Sequence, residues 1–220
     1  MDIYSFIVGN KEIFKIIYAA IIVFTCLLIV LKTNKLFQLS SHSGIRYFRN
    51  AFFFYGIAFF ARYFLVLTGV SDNIIIPLFE FFIIMGGFFL TYSLLSKRLN
   101  LKFYHSSFLN PIIFIFYLFA IILVLFDFIL TTSNFMFLSQ IVLFVITSSI
   151  SYINYRESGS KNKFLKFYFS AMILILVAWL LNFFAFFLFD GERSILINVY
   201  ILNLVFFLIF LYGIIKITKN

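Results

Sequence analysis

Apolar runs of about twenty residues follow one another along the chain, at 13–31, 51–69, 74–95, 111–130, 135–154, 166–188 and 195–215. A run of that length matches the ~30 Å hydrocarbon core of a bilayer crossed by a helix. Transmembrane strands would instead alternate apolar and polar residues in segments of about ten. The pattern therefore predicts an all-α polytopic membrane protein, a seven-transmembrane-helix bundle forming one membrane domain over residues 1–220. Charged residues are only 11% of the chain, where soluble domains carry about 25%. The first run is too long for a signal-peptide core and no small-residue cleavage site follows it, so it is expected to remain as a helix.

Orientation follows from the basic residues. The loops after the first, third and fifth runs carry Lys32, Lys35, Arg46 and Arg49, then Lys97, Arg98 and Lys102, then Arg156, Lys161, Lys163 and Lys166. The turns after the second, fourth and sixth runs carry only Arg193. Lys and Arg are retained on the cytoplasmic side, which predicts an N-terminus outside, a C-terminus in the cytoplasm and residence in the cytoplasmic membrane. A net charge of +9 would point a soluble protein toward nucleic acid. Here the charge borders the apolar runs, so the bilayer is the expected partner and nucleic acid is not.

Two charges interrupt the apolar runs at a telling spacing. Arg62 and Glu80 each lie nine positions from Ser71, in the polar turn Ser71-Asp72-Asn73. A helical hairpin folded at that turn brings them to one depth. A charged side chain at the bilayer centre costs about 2.5–3.5 kcal/mol even on a lenient scale, so the two are read as an ion pair facing the bundle. Pro77 is expected in the first turn of the third helix, where a missing N–H is tolerated. Gln140, Asn182 and Asn203 reach a similar depth on the fifth, sixth and seventh runs, together with Trp179 and Tyr200. Arg62, Glu80, Gln140, Asn182 and Asn203 are accordingly the expected ligand-binding residues of an outward-facing polar pocket. Asp127 is expected at the membrane interface, at the outer end of the fourth helix.

Other chemistries find little support. One cysteine, Cys26, excludes an internal disulfide and a thiolate metal cluster. His42 and His105 fall in loops, so the inward-facing histidines of a seven-helix zinc hydrolase are lacking. No lysine stands mid-way along the seventh run to carry a Schiff base. No phosphate loop, nucleophile triad or paired-carboxylate motif occurs, so neither an enzyme nor a resident cofactor or metal is expected. Thirty-seven Phe are read first as codon bias, before any aromatic cage.

The expected function is a receptor-like or sensor protein that binds an outside ligand or proton and signals through a separate cytosolic or membrane partner, since the tail is too short for an output domain. A small transporter or channel gated by the Arg62–Glu80 pair is the alternative. A structural subunit of a membrane complex is a third class.

Overall fold

Inside a bilayer every backbone N–H and C=O must find an internal partner, so each apolar run closes its hydrogen bonds as a helix. The computed structural model describes residues 11–40, 43–98, 111–157, 163–188 and 193–218. Within them the chain forms seven α-helices: α1 (Lys11–Ser40), α2 (Ser43–Phe64), α3 (Asp72–Arg98), α4 (Pro111–Leu130), α5 (Asn134–Glu157), α6 (Lys163–Leu188) and α7 (Arg193–Thr218). A single 3-10 turn, Leu65–Thr68, follows α2, and no strand occurs among the described residues. Helices α1 to α6 are each long and apolar enough to cross a membrane, while the apolar stretch of α7 is the shorter Tyr200–Lys216. The protein is thus a multi-pass, all-helical membrane bundle.

Six helices close a ring in the order α1, α2, α3, α5, α6, α7 and back to α1, and α4 packs outside it against α3 and α5. The sequence explains why α4 is the excluded member. It is the most apolar span, with a mean hydropathy of 3.0, and the least buried. Apart from Asp127, which turns into the protein, its surface is apolar all round and loses nothing by facing lipid. With α4 outside, α3 and α5 lie side by side and run parallel, and so do α1 and α7 where the ring closes.

Several boundaries differ from expectation. Residues 32–50, expected as a loop, are helical except for 41 and 42, which lie outside the described residues. Lys and Arg are good helix formers, so α1 and α2 continue past the apolar runs. Arg49 ties the two extensions together, donating from Nη1 to Asn34 Oδ1 at 2.6 Å with its guanidinium over the Phe37 ring. Helix α3 starts at Asp72, capped by bonds from Ile74 and Ile75 N–H to the Ser71 carbonyl. Pro77 therefore falls in the second turn rather than the first, and the Asn73 carbonyl, on an exposed residue, goes without its usual donor. Gly69 ends the α2 extension at φ 79°, a conformation natural to glycine. Lys102, Lys161, His42 and His105, and Asn110, expected from the sequence to cap α4, lie outside the described residues.

The interior has two contrasting halves. Toward the end that carries Lys32 and Arg49, the ring axis is filled by aromatic side chains. Phe210 packs at 5.2 Å from Phe52, 5.3 Å from Phe48, 5.0 Å from Phe206 and 5.0 Å from Tyr168. All five are buried, and such edge-to-face pairs contribute about 0.5–1.5 kcal/mol each beyond area burial. Beside this aromatic floor runs a polar seam. Thr91 and Thr147 share a hydrogen bond at 2.7 Å between α3 and α5, and the Ser148 hydroxyl donates to the Met172 carbonyl of α6 at 3.2 Å. Gly86 and Gly87 let the neighbours approach α3 closely. A Cβ on Gly86 would lie 2.9 Å from the Tyr55 ring, and one on Gly87 would lie 3.1 Å from Gln140 Oε1.

Candidate functional site

Above the aromatic floor the ring opens into a cavity of about 410 Å³. Its wall draws on six ring helices. Tyr18 comes from α1, Phe59, Arg62 and Tyr63 from α2, Phe79 and Glu80 from α3, and Met136 and Phe137 from α5. Trp179 and Asn182 from α6, with Tyr200 and Asn203 from α7, also line it. These residues share a depth because each lies within a few turns of the helix end on that side, at ~1.5 Å rise per residue.

Of the five residues expected to form a pocket, Arg62, Glu80, Asn182 and Asn203 line this cavity and Gln140 does not. Gln140 is 0% exposed and turns toward α3, where the missing side chain of Gly87 makes room for it. Neither of its amide atoms finds a hydrogen-bond partner among the described residues.

The expected Arg62–Glu80 ion pair is not made. Among the described residues no salt bridge within 4.0 Å joins them, although the two charges lie within electrostatic reach across the cavity. Each has another neighbour instead. The Arg62 guanidinium lies over the Phe79 ring, 5.9 Å from its centroid, in the last turn of α2. There both the ring quadrupole and the helix dipole favour a cation. Glu80, 2% exposed, accepts a hydrogen bond at Oε1 from the Ser133 hydroxyl at 2.6 Å. Ser133 belongs to the short turn before α5, and sequence reasoning missed it because nothing in the sequence ties that turn to α3.

Asp127 lies near the end of α4, as expected, but its carboxylate is turned into the protein. It is 1% exposed and caps the start of α5 from the end of α4. Its Oδ1 accepts from Phe135 N–H at 3.0 Å and from the Thr132 hydroxyl at 3.1 Å, and its Oδ2 accepts from Met136 N–H at 2.7 Å. These first N–H groups of a helix have no intrahelical acceptor, and in a membrane no water replaces one. The cap fixes the turn that carries Ser133, and so sets the geometry of Glu80 at one remove.

The remaining wall is aromatic. Tyr18 packs on Tyr200 at 4.8 Å and on Phe59 at 5.9 Å, while Trp179 meets Phe137 edge-on at 5.8 Å. The Tyr18 hydroxyl is buried without a hydrogen-bond partner among the described residues, with Asn203 beside it. Among the described residues no group of three His, Cys, Asp or Glu side chains could hold a metal ion. The described residues of the site thus offer one cation, one anion, amides, hydroxyls and aromatic faces.

Because Arg62 and Glu80 do not touch, their substitutions should combine almost additively. In a double-mutant cycle of Arg62→Met and Glu80→Gln, unfolded by denaturant titration in mixed micelles, the coupling term should stay under about 1 kcal/mol. A coupling of about 3 kcal/mol, the scale of breaking a buried pair, would show that the two side chains meet.

Comparison with protein-family models, with curated proteins and with solved structures finds no match for this chain.

Proposed function

We propose that the protein is a receptor-like membrane sensor that binds a small molecule in the cavity at the Glu80 end and passes the binding signal to a separate partner. The observation that carries this reading is a largely aromatic cavity of about 410 Å³, furnished with a few polar groups, above a floor of buried aromatic side chains. Pockets for small ligands are concave, largely apolar and furnished with a few polar groups, in the range of about 300–1,000 Å³. A closed floor supports binding without passage. In this reading the cavity opens outward from the cytoplasmic membrane, because the basic residues Lys32, Lys35, Arg46, Arg49 and Arg156 gather at the opposite end. A small transporter is the second reading. It draws on the polar seam of Gln140, Thr91, Thr147 and Ser151, which descends from the cavity toward the basic end.

Orientation and passage are both open to measurement. On a Cys26→Ser background, Ser71→Cys should react with an impermeant thiol reagent in intact cells and Glu157→Cys should not. The reverse pattern would place the cavity on the cytoplasmic side. Purified protein in liposomes should leave radiolabelled amino acids, sugars and nucleosides outside at the rate of protein-free vesicles. Saturable uptake of any of them would favour the transporter.

A further inference from the structure

Among the described residues, the charged side chains on the cavity wall are one cation and one anion, Arg62 and Glu80. The two do not touch, since no salt bridge within 4.0 Å joins them among the described residues. Arg62 has the face of Phe79 at 5.9 Å and makes no hydrogen bond to a described residue. Glu80 takes the Ser133 hydroxyl on Oε1 alone. In low dielectric a charge is costly unless paired. A ligand bearing a single charge would pair with one wall residue and leave the other desolvated and uncompensated. A ligand bearing one charge of each sign satisfies both and keeps the filled cavity neutral. The rest of the wall is suited to an apolar body, with Phe59, Phe79 and Trp179 supplying ring faces. A volume of about 410 Å³ leaves room for an aromatic or branched side chain beside the charged head.

Building on the ligand-binding reading above, we infer that the cavity takes a small zwitterion of the amino-acid class, its ammonium on Glu80, its carboxylate on Arg62 and its side chain against the aromatic wall. The carboxylate is held by guanidinium N–H donors, a fork that suits its two oxygens. The ammonium meets Glu80 Oε2, which has no donor among the described residues.

The test uses the full chain in lipid nanodiscs and one carbon skeleton in four charge states: L-phenylalanine, phenethylamine, 3-phenylpropionate and the neutral 3-phenylpropanamide, with L-leucine as a second zwitterion. Affinity is read by calorimetry and by thermal shift. In the wild type the zwitterions should bind at least about tenfold tighter than either singly charged analogue, the scale of losing one charge-assisted hydrogen bond. Arg62→Gln should abolish the preference for phenylalanine over phenethylamine while keeping that over 3-phenylpropionate, and Glu80→Gln should do the converse. Equal binding of the charged analogues, or tightest binding of the neutral amide, overturns the zwitterion while leaving a ligand-binding cavity. Binding by none of the five also overturns it. The fate of the broader reading is then decided by Asn182→Cys on the Cys26→Ser background. Reaction with a small thiol reagent in nanodiscs shows a cavity open to solutes, and no reaction removes the ligand-binding reading as well.

Discussion

Replacing Asp127 with alanine is expected to cost about 2–3 kcal/mol of bundle stability, more than most single polar changes in the protein. The carboxylate accepts from Phe135 N–H, Met136 N–H and the Thr132 hydroxyl while 1% exposed. Alanine leaves all three donors without their acceptor at the buried start of α5. Asparagine keeps one carbonyl oxygen and should cost about 1 kcal/mol. It also removes the repulsion between the Asp127 carboxylate and Glu80, which lies within electrostatic reach. Denaturant titration in mixed micelles should therefore order the proteins wild type, Asp127→Asn, Asp127→Ala. Equal costs for the two variants would mean that the hydrogen bonds to the helix start carry little of the stability. A second readout is the site itself, because the cap positions the turn bearing Ser133. Asp127→Ala should weaken ligand binding more than its distance from the cavity would imply.

Gly86→Val is expected to prevent assembly of a folded bundle, and Gly86→Ala to cost about 2 kcal/mol. A Cβ at this position would lie 2.9 Å from both Cε1 and Cζ of Tyr55. The ring cannot retreat, since Tyr55 is 3% exposed and packed between Phe52 at 6.2 Å and Phe207 at 6.0 Å. Either α2 and α3 move apart or the aromatic floor is disturbed. Adding Tyr55→Leu to Gly86→Ala should recover much of the loss, a coupling that identifies the clash itself as the cause. Gly87→Ala should be milder despite its similar spacing, because the atoms it meets are the ends of the Leu143 and Gln140 side chains. Tyr55→Phe alone should be close to neutral, as the hydroxyl it removes is buried and has no partner among the described residues. If Gly86→Val folds with wild-type stability, the close approach of α2 to α3 is not required.

Depth along a helix is readable from residue number, and rotation about its axis is not. With turns at Ser71 and Ser133 in place, a rise of ~1.5 Å per residue brings Arg62, Glu80, Asn182 and Asn203 to one level, and all four line the cavity. Gln140 sits on the helix that also supplies Met136 and Phe137, but its azimuth is set by Gly87, whose significance lies in a neighbour's side chain. The same limit hid the partners of the two charges. Matched depth made Arg62 and Glu80 a natural pair, yet Phe79 and Ser133 stand closer. The capping role of Asp127 was not legible for a different reason. Caps are sought beside the helix they close, and this one reaches back from the preceding helix to residues eight and nine positions on. The helical extensions past residue 31 were hidden because the hydropathy pattern ends where the lipid ends, whereas the helix does not. The position of α4, by contrast, was available in its hydropathy of 3.0, since a span with so little polarity has no need of the interior.

Closure of the ring by α7 has a consequence for biosynthesis. That helix supplies Phe206, Phe207 and Phe210 to the floor and Tyr200 and Asn203 to the wall, and it is translated after all its neighbours. Until it leaves the ribosome, the earlier helices stand in the bilayer as a strip open at α1 and at α6. Phe52, still without Phe206, Phe207 and Phe210, loses little, because lipid is as apolar as its future neighbours. The Tyr18 hydroxyl and the Glu80 carboxylate face an unfinished cavity for the same interval. A pause in translation between α6 and α7 therefore lengthens the time during which membrane quality control can find exposed polar groups. Synonymous changes that slow decoding there should lower the amount of protein that accumulates, while leaving unchanged the stability of the molecules that complete the ring.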